Sequence, residues 1–112
     1  MKLVTAVVPP HRVDRLREAL TAFGVSGMTI SHVTGYGMEI WKTRKLRGQV
    51  YYDESVSSVR LEMVVTDLDA DDVVNVILRA CGSTSSGAGK VWTVPVDTLT
   101  RVRTAERGID AL

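Results

Sequence analysis

The sequence predicts an α+β domain of ferredoxin-like architecture, a doubled βαβ unit whose strands build one antiparallel sheet with both helices on one face. Three observations predict it. A β-branched apolar run, a stretch with apolar residues at helical spacing, and an alternating run occur in that order twice. A shift of 58 residues places Leu3 on Leu61 and Val7 on Val65. The chain has 112 residues, 45% of them hydrophobic, which is enough for one domain with an ordinary core, and no composition shift suggests a second.

Residues 2–8, KLVTAVV, read as the first strand, ended by Pro9 and Pro10. Val13, Leu16, Leu20 and Phe23 then recur at helical spacing, and Gly24 stands where a helix terminates. MTISHVT at 28–34 alternates as the second strand. In the second half RLEMVVT at 60–66 is strand-like, and Asp69 with Asp72 three residues on resembles a helix start. Val73, Val76, Ile77 and Ala80 form that helix's apolar stripe, Gly82 its stop, and KVWTVPV at 90–96 the last strand. Cys81, the only cysteine, is assigned to core packing; it permits no internal disulfide and agrees with a reducing compartment.

In the first strand Leu3 and Val7 face one way, and Val4, Ala6 and Val8 the other. One helix layer covers one sheet face, so the other is expected to pack against further copies of the chain. Two segments stand outside the repeat. GYGMEIWKTRKLRGQVYYDESVSS carries no sustained period and reads as a long loop, either functional or disordered. The tail DTLTRVRTAERGIDAL sets Arg101 and Arg103 two apart, on one side of an extended chain, with Glu106 near. Two adjacent guanidinium groups call for an anion between them.

The stretch GSTSSGAGK at 82–90 tests for a P-loop and fails. Gly82 and Gly87 have the four-residue gap, but Ala88 stands at the lysine position, and Lys90 leads into a strand rather than a helix. The net charge of +1 makes no overall electrostatic case for nucleic acid, and the KTRKLR cluster lacks regularly spaced aromatic platforms. No apolar run is long enough for a membrane span, and no secretory signal opens the chain, so a cytoplasmic protein is expected. His11 and His32 are isolated, without metal-ligand or catalytic spacing.

Taken together, GMT at 27–29, GYG at 35–37, RG before Tyr51, GxGK at 87–90, PVD at 95–97 and RVRTxERGxDA at 101–111 resemble the nitrogen regulatory protein PII family over the whole chain. The resemblance implies one domain, 1–112, with a protruding T-loop at about 38–56, a B-loop at about 82–90 and a C-terminal loop at about 98–112. It implies a homotrimer that binds ATP, ADP or AMP in clefts between neighbouring subunits and regulates a membrane transporter or a metabolic enzyme through the T-loop, without catalysis of its own. The T-loop is expected to order only against a partner or a ligand. Carried over residue by residue, the nucleotide site would comprise Thr29, Gly35, Gly37, Glu62, Val64, Gly87, Gly89, Lys90, Arg101 and Arg103, with Thr29 and Glu62 reading the adenine edge. Glycines let backbone N–H groups approach phosphate, and Lys90, Arg101 and Arg103 supply charge. Tyr51 would be the candidate modification position.

The chain departs from the family pattern where 2-oxoglutarate sensing resides. Met38 stands for an arginine, Glu39 for the glutamine that helps hold Mg²⁺, and Ser58 for the lysine that pairs with the effector; Gly82, Ala88 and Ala105 are further departures. Altered or lost 2-oxoglutarate sensing is therefore expected, and a regulator linked to bicarbonate or carbon fixation is the alternative. A slow nucleotide hydrolase in the same cleft is the competing class; no paired carboxylates or histidine support it.

Overall fold

In the computed structural model, residues 1–36, 55–82 and 89–112 are described in full, and 42–46 and 49–53 by their backbone. Strands β1 (Lys2–Val8), β2 (Thr29–Tyr36), β5 (Ser55–Val65) and β6 (Lys90–Pro95) form a four-stranded antiparallel sheet in the order β2-β5-β1-β6. Helices α1 (Val13–Phe23) and α2 (Asp67–Cys81) connect β1 to β2 and β5 to β6. Each βαβ unit thus spans a strand of the other, which interlocks the halves in a ferredoxin-like sheet. The central pair β1 and β5 are in register with Leu3 opposite Val64 and Ala6 opposite Leu61.

The helices cover the sheet face carrying Val4, Ala6, Val8, Val59, Leu61, Met63 and Val65, all buried. From α1 come Leu16 and Leu20, one turn apart, and from α2 Ala70, Val73, Ile77, Ala80 and Cys81. Phe23, read as part of the buried stripe, is 39% exposed instead, because it lies in the last turn of α1. Gly24 ends α1 with φ 114°, its N–H donating to the carbonyls of Leu20 and Thr21. The start of α2 differs from the sequence reading. Its cap is Thr66, whose side-chain oxygen accepts from the Asp69 N–H at 3.3 Å, so Asp69 lies inside the first turn. Burial raises the Cys81 thiol above its ordinary pKa, opposed by the nearby Arg12 guanidinium.

The long segment between β2 and β5 is not without regular structure, as its lack of periodicity suggested. Strands β3 (Lys42–Leu46) and β4 (Gln49–Asp53) pair antiparallel from Lys42 opposite Asp53 to Leu46 opposite Gln49. Pairing of β2 with β5 continues to Tyr36 opposite Ser55, so the sheet reaches further into this segment than the strand bounds read from sequence. The tail also differs: Val102, Arg103 and Thr104 form a turn rather than an extended chain.

Candidate functional site

The uncovered sheet face collects polar and apolar side chains in rows set by the strand register. Thr29, Glu62, Thr5 and Trp92 form one row across β2, β5, β1 and β6. Ser31, Arg60, Val7 and Lys90 form the next, and Val64, Leu3 and Val94 lie on the other side of the first. Alternation along the strands puts all of these on the side opposite the helices.

Glu62 is the best-defined polar group in this array. Its carboxylate accepts from Thr5 Oγ1 at 3.4 Å and pairs with Arg60 Nε at 3.5 Å. Thr5 is 3% exposed, so one anchor of Glu62 is held rigidly in the central strand. The sequence reading missed Thr5 and Arg60 as partners; the signal was present in Arg60 and Glu62, two apart on one strand and therefore on one face. A shallow cavity of about 470 Å³ opens here, lined by Leu3, Gly27, Met28, Thr29, Glu62, Met63 and Val64. Thr29, Glu62 and Val64, assigned from sequence, are thus brought together.

Gly89 and Lys90 sit elsewhere, at the start of β6. Gly89 has φ 98°, and a Cβ built on it would lie 1.8 Å from the Val7 carbonyl oxygen. Any side chain there meets the backbone of β1, so a glycine is required for packing. Lys90 is exposed, opposite Val7 in register. Both residues line a different, smaller cavity of about 90 Å³ with Val8, Ile77, Cys81 and Gly82. Gly35 lies towards the far end of β2, opposite Val56. Gly37 and Gly87, with Met38, Glu39 and Ala88, lie outside the described residues, as does the side chain of Tyr51.

Arg101 is held by the tail. Its guanidinium donates to the Leu112 carbonyl oxygen at 2.6 Å and to Glu106 Oε1 at 3.4 Å. The Arg101 N–H donates to the Glu106 carbonyl and the Ala105 N–H to the Arg101 carbonyl, each at 2.8 Å, closing a turn in which Ala105 takes φ 61°. Arg103, on that turn, is exposed and has no carboxylate within ion-pairing distance among the described residues. Thr29 and Glu62 thus line one cavity of the chain and Gly89 and Lys90 another, while Arg101 and Arg103 lie on the tail.

The sequence model described as Nitrogen regulatory protein P-II matches residues 1–106. The chain belongs to the PII family. Curated relatives named Nitrogen regulatory protein P-II agree along its whole length: that of Microchaete diplosiphon is 36% identical over 112 residues, all of both chains. The Synechocystis protein is 35% identical and that of Pasteurella multocida 33%, again over the full length of each. PII-family proteins are signal-transduction regulators of nitrogen metabolism, and this chain has the family's ferredoxin-like subunit. Among the described residues no helix is long and apolar enough to cross a membrane.

Proposed function

We propose that this PII-family chain is a cytoplasmic sensor that binds ATP, ADP or AMP in clefts between the subunits of a homotrimer, and that its T-loop regulates a membrane transporter or a metabolic enzyme by direct contact. The observation that carries this reading is the separation of the two clusters. Thr29 and Glu62, proposed for the adenine, and Gly89 and Lys90, proposed for the phosphates, line different cavities of one chain. A cleft formed by two copies lets the pocket of one meet the cations of another. The exposed apolar residues of the uncovered face, Trp92 at 45% and Val94 at 41%, favour such an assembly.

Within that cleft Glu62, held by Thr5 and Arg60, accepts from an exocyclic amine, and Thr29 supplies a hydroxyl beside it. Among the described residues Lys90 and Arg103 have no carboxylate partner, which suits them to a polyphosphate. Ser58, at the position where an effector-pairing lysine is expected, lies in β5 opposite Val33 and offers a hydroxyl without charge. Weak or absent 2-oxoglutarate binding follows, and this favours, as a second reading, a regulator tied to bicarbonate or carbon fixation.

Isothermal calorimetry with ADP and ATP tests the proposal. Charged hydrogen bonds contribute about 1.5 to 3 kcal/mol each, so Arg103→Ala weakens ADP roughly tenfold to a hundredfold. Unchanged affinity in a folded variant overturns the assignment of Arg103. Heat from 2-oxoglutarate added to protein saturated with Mg-ATP, at low-micromolar affinity, would overturn the loss of effector sensing.

A further inference from the structure

We propose that Glu106 is an internal counter-ion of Arg101 that a nucleotide phosphate displaces, so that this one carboxylate lowers the resting affinity of the site; the inference rests on the nucleotide reading above. The pair is built in by the main chain. Arg101 and Glu106 are tied through their backbones at 2.8 Å, and the isolated bridge between Thr100 and Arg107 encloses both. Their side chains therefore meet without a search, Nη1 to Oε1 at 3.4 Å, while Nη2 is held by the Leu112 carbonyl at 2.6 Å.

The contact is also made to be exchanged. The two side chains are 40% and 44% exposed, the setting in which an ion pair is weak and open to a competing anion. A phosphate brings more charge and three acceptor oxygens to the same guanidinium fork. Among the described residues Arg103 has no carboxylate within ion-pairing distance, so the two tail arginines differ: Arg103 meets the anion directly, and Arg101 joins as Glu106 is displaced. The Glu106 carboxylate, left close to the bound phosphate, then opposes it.

The experiment compares ADP affinity by calorimetry in the full-length protein, in Glu106→Gln, and in Asp110→Asn, which removes equal charge from the same tail. Circular dichroism and thermal melting establish that each is folded. The expected result is a roughly twofold to fivefold tighter ADP complex for Glu106→Gln and no gain for Asp110→Asn. In an Arg101→Ala background the gain from Glu106→Gln disappears, which a general electrostatic or structural effect of Glu106 would not produce. Equal or weaker ADP binding by Glu106→Gln, or a gain that survives without Arg101, overturns the inference while leaving the nucleotide reading intact. A wild-type protein that binds neither ADP nor ATP overturns the nucleotide reading itself, and this inference with it.

Discussion

Gly89 illustrates how one residue answers to two demands. The sequence reading assigned it to phosphate access, but the structure adds a packing reason, since its Cα side faces the Val7 carbonyl with no room for a methyl group. A positive φ of 98° compounds the cost for any L side chain. Gly89→Ala is expected to destabilise the fold by at least about 2 kcal/mol, as strain and the clash with β1 act together. Urea unfolding at unchanged slope measures it, and a midpoint equal to wild type would mean that the β1–β6 junction relaxes freely. Glu62 shows the complementary case. Its position on a strand was legible, but its orientation comes from Thr5 and Arg60.

At the scale of elements, local signals and tertiary context divide the work differently for each piece. Helix α1 was readable almost residue by residue, because Leu16, Leu20 and Gly24 obey the helical period and its stop. The start of α2 was misjudged because two capping signals overlap, Asp69 with Asp72 and Thr66 with Asp69. The second wins, with Thr66 extended at ψ 157° and its oxygen on the Asp69 N–H. Thr66→Ala should therefore cost about 1 kcal/mol, whereas Asp69→Ala removes only a helix-dipole contact of about 0.3 to 1 kcal/mol. Paired denaturation curves decide the order, and a larger loss at Asp69 would restore the sequence assignment. The β3–β4 hairpin escaped the reading because KTRKL and QVYYD carry no apolar alternation, leaving propensity alone to report it.

For the whole molecule, the uncovered sheet face is the feature with the largest consequence. Leu3, Val7, Val64, Trp92 and Val94 share it with the Arg60–Glu62 pair, and a second helix layer does not cover it. Assembly into a trimer through this face predicts a solution mass near three times 12.2 kDa by light scattering. Introducing a charge by Trp92→Glu should shift the population towards monomer and weaken ADP at the same time, because the proposed cleft needs a neighbour. Wild-type protein that stays monomeric at tens of micromolar removes both the trimer and the intersubunit site.

By itself the sequence determined the doubled βαβ, most core positions though not Phe23, and membership of the PII family, because periodicity and motif order are properties of the linear chain. Only the tertiary structure decided which residues meet. Register set Thr29 opposite Glu62 and anchored that carboxylate on Thr5, and it kept Lys90 in a different cavity. The tail shows the limit most clearly. Arg101 and Arg103, two apart, suggested an extended chain with both guanidinium groups on one side. The backbone bonds between Arg101, Ala105 and Glu106 instead close a turn that gives one arginine a partner and leaves the other exposed. Spacing along a chain constrains side-chain direction only once the backbone conformation is known, and that conformation is set by contacts between residues the linear order does not bring together.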